Sequence, residues 1–176
     1  MVKRFVVFGV LLLLALFVYL QSRSSTYRVE RSVHIAALPS AVYERLIDLH
    51  QWPRWSPWGA LDPELKSRFG GAERGQGATY AWDGNAQVGR GRITIREARP
   101  SSQVVYGVTF EAPLESEMSY EFRLLPDQDG ARLTWSFVGE HPFWARFFAL
   151  FRDLDAPVGA DMQRGLEQLA AQLEAR

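Results

Sequence analysis

Seven segments of alternating polar and apolar residues, followed by an amphipathic stretch at the end of the chain, constrain the fold more than any other feature of this sequence. The segments read YRVERSVHI, ELKSRF, ATYAW, QVGRGRITIREA, QVVYGVTFEA, ESEMSYEFRLL and ARLTWSFVG. Glycines, prolines and Asp-Gly pairs lie between them, as expected for turns. Strands with one polar and one apolar face form antiparallel sheets that have one side in water. We therefore expect an antiparallel sheet.

The apolar face of this sheet is rich in aromatic residues. In the last two segments it carries Met118, Tyr120, Phe122, Leu124, Leu133, Trp135 and Phe137, whereas Glu117, Glu121 and Ser136 fall on the polar face. Arg31 is an exception on the apolar row of the first segment. It is either a strand-end residue whose stem packs while its head reaches water, or a buried cation. An aromatic face of this kind needs a cover.

The C-terminal stretch VGADMQRGLEQLAAQLEAR supplies a cover. As a helix it has charges on one side and an apolar stripe on the other, formed by Val158, Met162, Leu166, Leu169 and Leu173. Gly165 lies beside this stripe, where the missing side chain either admits a close neighbour or leaves space. A shorter helix is predicted for PSAVYERLIDLH, because Pro39 suits a first helical turn.

The tryptophan segment, WPRWSPW from Trp52 to Trp58, holds three of the six tryptophans. Pro57 has no N–H for a helical ladder, and each proline disfavours helical backbone in the residue before it. We expect an ordered aromatic loop and not a helix. Two roles stay open for it: a rigid plug that closes one end of the core, or the rim of a cavity where indoles meet an apolar ligand or the membrane interface.

The aromatic segment, PFWARFFALF at residues 142–151, is apolar nearly all round. A helix of this kind is buried, or it contacts lipid or ligand. We expect Trp144, Phe147, Phe148 and Phe151 to form a movable flap over a cavity mouth, with Phe147 and Phe151 in contact with a ligand. The alternative is that the segment is plain core.

The start of the chain predicts a membrane anchor. Phe5 to Leu20 is a run of sixteen residues without a polar break, preceded by Lys3 and Arg4. At ~1.5 Å per residue, the run and its flanks reach about 25 Å, enough for a thin bilayer. A cleaved signal peptide is the alternative, but the run ends in Val18-Tyr19-Leu20 and not in the small residues of a cleavage site. We expect residues 1–23 to be an uncleaved anchor and residues 24–176 to be the folded domain.

Composition and missing motifs exclude several classes of function. Twenty Lys and Arg balance twenty Asp and Glu without a basic tract, so we expect no nucleic-acid partner. With no cysteine, the chain has no thiolate metal ligand and no thiol nucleophile. His34, His50 and His141 are isolated, so we expect no metal site. Gly89–Arg92 matches G-x-G but leads into more strand, so no dinucleotide cofactor is expected. No catalytic residue is identified.

The order strand, helix, run of strands and long helix implies a curved sheet gripping the last helix. At this point the chain resembles the START-like, polyketide-cyclase-like (SRPBCC) helix-grip superfamily, particularly its membrane-anchored bacterial members. The resemblance covers Tyr27 to about Leu173. It rests on RSVHIAALPSAVYERLID, on the tryptophan segment before Asp62-Pro63, on GATYAWDGNAQVGRGRITIREARP and on GADMQRGLEQL. The spacing of Tyr80, Trp82, Gly84, Asn85, Gly89 and Gly91 is its most specific part.

The resemblance implies an α+β helix-grip fold behind a transmembrane helix in the inner membrane of a bacterium. Because Lys3 and Arg4 precede the apolar run, we expect the amino terminus inside and the domain on the periplasmic side. Because such folds carry many functions, three hypotheses stay open. The first is a membrane-tethered module that binds an apolar or amphipathic, lipid-like molecule between sheet and helix. The second is an enzyme of the cyclase or dehydratase kind, and the third is a structural or adaptor domain with a filled core. The residues expected to contact a ligand are Trp52, Trp55, Trp58, Tyr80, Trp82, Asn85, Met118, Tyr120, Trp135, Phe137, Phe147, Phe151 and Met162.

Overall fold

A computed structural model describes residues 14, 19, 26–113, 115–140 and 155–175. The chain forms two compact units: residues 28–139 with 155–176, and residues 1–27 with 140–154. In the second unit the structure describes Leu14, Tyr19, Thr26, Tyr27 and Glu140. The rest of the predicted anchor and the whole aromatic segment, with Phe147 and Phe151, lie outside the described residues. Within the described part of the chain, no helix is both long enough and apolar enough to cross a membrane.

The strands form one curved, antiparallel, seven-stranded sheet, as the alternating segments predict. They are β1 (Thr26–Ile35), β2 (Lys66–Gly71), β3 (Ala78–Asp83), β4 (Arg90–Arg99), β5 (Gln103–Ala112), β6 (Ser116–Asp127) and β7 (Gly130–Glu140). The order across the sheet is β1-β7-β6-β5-β4-β3-β2. The strands from β2 to β7 therefore form a meander, and the chain crosses from one edge of the sheet to the other between β1 and β2.

In the described residues from 26 onward, three helices accompany the sheet: α1 (Pro39–Leu46), α2 (Trp52–Trp55) and α3 (Asp155–Glu174). Single 3-10 turns at Leu49–Gln51 and Gly59–Leu61 flank α2. The helix α1 begins on Pro39, where the missing N–H has no helical partner to lose. The helix α3 is the predicted C-terminal helix, and with the sheet it makes the α+β helix-grip fold.

The expectation that the tryptophan segment contains no helix is wrong for its first half. Trp52–Trp55 forms one helical turn, because Pro53 occupies a first-turn position that needs no N–H donor. The turn ends at Ser56, whose extended backbone (ψ 128°) is the conformation that Pro57 imposes on its predecessor. Pro57 thus excludes helical backbone at Ser56 but not at the residues before it.

The predicted strand parity agrees with burial. Among the residues 2 % exposed or less are Ile93 and Ile95 of β4, Phe122 and Leu124 of β6, and Leu133 and Trp135 of β7. Met162, Leu166 and Leu169 of α3 are fully buried as well. The apolar side of the sheet and the apolar stripe of α3 therefore form a common core.

Close packing at Gly165 brings the tryptophan segment onto α3. A β-carbon at this position would lie 3.0 Å from Pro57 Cδ and 3.1 Å from Trp135 Cζ3. Glycine thus lets the helix, the tryptophan segment and β7 meet at one point. Gln172 Nε2 adds a hydrogen bond to the Arg54 carbonyl, 2.8 Å away. Of the two roles for Gly165, the structure shows a close neighbour, and that neighbour is the tryptophan segment.

The polar face of the sheet departs from the expected pattern at Ser136. This residue is only 2 % exposed, because side chains from β1 and β6 cover it. Arg28 Nη2 donates to Ser136 Oγ at 2.7 Å, and Ser136 Oγ donates to Glu30 Oε2 at 2.8 Å. Arg28 also pairs with Glu121 at 3.1 Å. The hydroxyl of Ser136 and the guanidinium of Arg28 together lower the pKa of Glu30.

Candidate ligand-binding site

A cavity of about 230 Å³ lies between the apolar face of the sheet, the tryptophan segment and the first turns of α3. Most of its wall is aromatic or aliphatic, and it includes side chains from β3 to β7. The lining residues are Trp52, Pro53, Ser56, Trp58, Gly59, Leu65, Tyr80, Trp82, Gln87, Val88, Ile93, Val108, Phe110, Met118, Tyr120, Phe137, Val158 and Asp161. The described residues thus leave the space between the sheet, the tryptophan segment and α3 partly unfilled.

The tryptophan segment and the last two strands form one aromatic wall. The rings of Trp58 and Tyr120 stack with centroids 6.0 Å apart, and those of Trp52 and Tyr120 stack at 6.1 Å. Phe137 of β7 continues the wall, 5.3 Å from Tyr120. Trp52 is 5 % exposed and Trp58 is half-buried, so the wall extends from the core toward solvent.

The second aromatic wall comes from β3 and β5. Tyr80 and Trp82 alternate onto the same face of β3, and their rings stack 6.2 Å apart. Phe110 meets Trp82 edge-on at 5.2 Å. The Trp82 ring lies over Gly91 of the paired strand, where a β-carbon would be 2.7 Å from its Cζ2 and Cη2 atoms. Gly91 therefore allows the Trp82 indole to approach the backbone of β4 closely.

A hydrogen-bonded turn after β3 fixes the remaining wall. The Asn85 side-chain oxygen accepts from the Gln87 N–H at 2.8 Å and from the Val88 N–H at 3.3 Å. Asp62, which is 7 % exposed, accepts from the Asn85 N–H at 2.6 Å. Trp82 Nε1 then donates to the Val88 carbonyl at 3.0 Å. Asn85 thus positions two lining residues without lining the cavity itself.

Polar groups are few at this cavity, and one of them carries a charge. Val158 and Asp161 lie three residues apart on α3 and both face the cavity. The Asp161 side chain is 29 % exposed and forms an ion pair with Arg164, which is 61 % exposed. Burial raises the pKa of the Tyr80 hydroxyl, so this group is neutral at physiological pH. The site therefore combines an apolar interior with one carboxylate at the helix side.

The structure brings seven of the thirteen predicted ligand contacts together around the cavity: Trp52, Trp58, Tyr80, Trp82, Met118, Tyr120 and Phe137. Trp55, Trp135 and Met162 lie in the core behind the cavity wall, and each is 1 % exposed or less. Asn85 is in the turn after β3, and Phe147 and Phe151 lie outside the described residues. Contact with a ligand stays a prediction for each of these residues.

Sequence reasoning missed lining residues from loops and from β5. The predicted segments ELKSRF and QVGRGRITIREA include Leu65 and Val88, but β2 begins at Lys66 and β4 at Arg90, so both residues line the cavity from loops. Phe110 and Val108 belong to β5, and the apolar run QVVYGVTF hides its alternation because Val105 and Gly107 occupy the polar face. The register of β5 with β6, which pairs Val108 with Met118, is what places them on the cavity side.

The described residues contain no group of three or more histidine or acidic side chains placed to hold a metal ion. His50 stacks on Phe69 with ring centroids 4.2 Å apart, away from the cavity, and pairs with Asp48. The chemistry that this arrangement supports is therefore apolar packing with a few hydrogen bonds and one carboxylate.

Comparison with known proteins agrees with the fold. The family described as polyketide cyclase / dehydrase and lipid transport matches residues 26–174. No curated protein matches the chain.

Three similar solved structures illustrate the range of the likeness. Protein CV1439 from Chromobacterium violaceum is 21% identical, with 85% of this chain and 97% of that one covered and a TM-score of 0.59. The Aha1 dimer from Colwellia psychrerythraea is 16% identical, with 84% and 96% covered and a TM-score of 0.58. An uncharacterised protein from Rhizobium leguminosarum is 12% identical, with 86% and 96% covered and a TM-score of 0.61. At these identities the likeness shows the fold alone.

Proposed function

This chain belongs to the polyketide cyclase / dehydrase and lipid transport family, and we propose that it binds an apolar or amphipathic small molecule between the sheet and α3. The observation that carries the proposal is the aromatic cavity of about 230 Å³. A domain with a purely structural role gains stability by filling such a space, since each unfilled volume removes packing contacts. A partly open cavity of this size beside the core favours a ligand over an adaptor with a filled interior.

The volume limits the size of the occupant. An apolar cavity of about 150 Å³ accepts benzene. By proportion, a cavity of about 230 Å³ takes an apolar group of about nine non-hydrogen atoms. This corresponds to a bicyclic ring or to part of one acyl chain, with any polar end left at the mouth. A whole phospholipid does not fit.

Binding fits the lining residues better than catalysis does. Among the described residues at the cavity, Asp161 is the one carboxylate, and none is a histidine. That carboxylate is already paired with Arg164. General acid–base catalysis needs a group within hydrogen-bond reach of the reacting atom and tuned for proton transfer. The cyclase or dehydratase hypothesis therefore requires Asp161 or the hydroxyl of Tyr80 or Tyr120 to act without a second carboxylate and without a histidine among the described lining residues.

We further propose that residues 5–20 tether the domain to a bacterial inner membrane, with the domain in the periplasm. The support is the uninterrupted apolar run after Lys3 and Arg4, which has the length of a short span. A tether of this kind would hold the cavity close to a source of apolar molecules.

Two measurements test the binding proposal. Native mass spectrometry of the full chain released from detergent should show a co-purified small molecule. Titration calorimetry of the full chain in phosphatidylcholine nanodiscs should show saturable binding of 2-naphthylmethanol, whose ring is close to the cavity in size. Empty nanodiscs serve as the blank for partition into lipid.

Matched variants on α3 distinguish binding in the cavity from binding at the surface. Val158→Phe adds a ring into the cavity and should abolish binding, whereas Ala160→Phe adds the same ring at an exposed position and should not. Absence of saturable binding to the unmodified chain, or equal binding by both variants, would contradict the proposed function.

A further inference from the structure

The charge at the cavity points to a preference among ligands. Among the described residues that line the cavity, Asp161 is charged, and none is lysine, arginine or histidine. An anionic ligand group at the mouth would therefore meet a carboxylate and find no cationic partner in the lining. A cationic group would find its partner there. Since this selection concerns the ligand of the proposed cavity, it rests on the proposed binding function.

The aromatic walls favour the same sign of charge. Trp52, Trp58 and Tyr120 border the same space as Asp161, and the Tyr120 ring stacks with the two indoles at centroid distances of 6.1 and 6.0 Å. Ring faces carry negative electrostatic potential and attract ammonium groups, most strongly where water is excluded. Trp58 is half-buried and thus lies where a polar group of the ligand leaves the apolar interior.

Two arginines near this part of α3 do not reverse the argument. Arg31 Nη1 donates to the Glu30 carbonyl at 2.7 Å, and its guanidinium lies over Gly159, outside the cavity lining. Arg164 is not a lining residue, and its side chain, which pairs with Asp161, is 61 % exposed. Exposed ion pairs of this kind are weak, so a ligand ammonium can share or displace the Arg164 contact.

We propose that the cavity selects amphipathic amines, with the apolar ring or chain between the aromatic walls and the protonated amine at the Asp161 carboxylate. The class is a primary or secondary amine that carries an apolar group of bicyclic size. Fatty acids and other apolar carboxylates are the disfavoured class.

Three probes of one shape test this selection: 2-naphthylmethylamine, 2-naphthylmethanol and 2-naphthoic acid, which are cationic, neutral and anionic at pH 7. Each is titrated by calorimetry into the full chain in phosphatidylcholine nanodiscs, with empty nanodiscs as the blank. A charge-assisted hydrogen bond predicts that the amine binds about tenfold more tightly than the acid. The alcohol should lie between them.

Isosteric variants identify the responsible charge. Asp161→Asn should weaken amine binding about fivefold to tenfold, strengthen acid binding, and leave the alcohol unchanged. Glu167→Gln removes the same charge from an exposed position of α3 outside the lining, and it should change none of the three affinities. Arg164→Gln frees Asp161 and should strengthen amine binding.

The outcomes separate the two proposals. Equal affinity for the three probes, or tighter binding of the acid, overturns the amine selection while the binding function stands. Loss of acid binding in Arg164→Gln would assign recognition to the arginine and overturn the selection as well. An equal response to Asp161→Asn and Glu167→Gln would show only an effect of net charge and would likewise overturn it. Binding of none of the probes overturns the proposed function itself.

Discussion

Replacing single tryptophans with phenylalanine tests whether the indole N–H groups in this core have the partners that the structure gives them. Trp55 Nε1 and Trp135 Nε1 are buried and have no hydrogen-bond acceptor among the described residues. Trp82 Nε1, by contrast, donates to the Val88 carbonyl at 3.0 Å. The same substitution therefore removes an unpaired donor at Trp55 and a paired donor at Trp82.

The volume change is the same at both sites. Trp→Phe removes about 40 Å³, which at about 24 cal/mol per Å³ of cavity lowers the free energy of unfolding by about 1 kcal/mol. At Trp55 the loss is offset, because the variant no longer buries a donor whose desolvation costs about 1–3 kcal/mol. We expect Trp55→Phe to be between unchanged and about 2 kcal/mol more stable.

At Trp82 the lost volume and the lost hydrogen bond both lower the free energy of unfolding. The variant leaves the Val88 carbonyl without its donor, at a cost of about 1–3 kcal/mol in addition to the cavity. We expect Trp82→Phe to be about 2–4 kcal/mol less stable than the unmodified chain. The two variants should therefore differ by at least about 2 kcal/mol, which for a domain of this size separates their thermal midpoints by about 4 °C or more.

The assay is thermal unfolding of the full chain in a nonionic detergent, followed by near-ultraviolet circular dichroism, which reports tryptophan packing. Trp135→Phe is an internal replicate, because Trp135 is fully buried and its N–H is also unpaired. If Trp55→Phe lowers the midpoint as much as Trp82→Phe does, then the Trp55 N–H has a native partner and the reasoning is wrong.

Three further predictions concern the anchor, the core and the polar face. The mature protein should retain Met1 or Val2 and sediment with inner-membrane fractions; amino-terminal sequencing that begins near Gln21 would instead establish cleavage after residues 5–20. Trp135→Ala should lower the free energy of unfolding by about 3–5 kcal/mol, whereas Glu117→Ala, at a side chain that is 74% exposed, should change it by less than about 0.5 kcal/mol; equal denaturant midpoints would contradict the strand parity. The lowered pKa of Glu30, caused by the Ser136 hydroxyl and Arg28, stabilises the fold above the ordinary pKa of 4.5, and this stability is lost as the pH falls through the lower folded value. Thermal midpoints measured through that acidic range should consequently fall less steeply in Glu30→Gln, and identical slopes would count against the contribution.

The sheet was predictable because polar and apolar residues alternate along strands that lie at the boundary between water and the core. Residues on β6 and β7 are either in water or in the core, and a shift of register by one residue would exchange the two faces. Phe122 and Trp135, which pair across these strands, are both fully buried as predicted. The C-terminal helix was predictable for the same reason, since its apolar stripe has the helical period.

The errors arise where local rules meet contacts distant in sequence. Ser136 has a small polar side chain, so its parity predicts exposure, but Arg28 and Glu30 from the neighbouring β1 cover it. Trp52–Trp55 forms a helical turn because the turn ends at Ser56, one residue before Pro57, which has no N–H for a helical hydrogen bond. Neither feature is visible in the alternation of the segment itself.

A cavity is harder to predict than a core, because both are lined by the same residue types. Trp135 and Tyr120 have the same parity on neighbouring strands, yet Trp135 is enclosed and Tyr120 lines the cavity. At Trp135 the helix packs closely, because Gly165 has no β-carbon where one would lie 3.0 Å from Pro57 Cδ and 3.1 Å from Trp135 Cζ3. Sequence periodicity predicts which residues lie on each face of a strand or helix. It does not predict the gap that remains where three such elements meet.

The tryptophan segment closes part of the core and also lines the cavity, and contact of its indoles with a ligand stays a prediction. Trp55, on the helical turn, is 1 % exposed and packs edge-on against Trp52 and Trp135, at centroid distances of 4.7 and 5.8 Å. The extended Ser56 and Pro57 then redirect the chain, so that Trp58 does not continue the helical face and reaches the cavity instead. An uninterrupted helix would have placed all three indoles on one face. The break at Pro57 therefore brings Trp58 to the cavity wall that Trp52 also lines, while Trp55 closes the core.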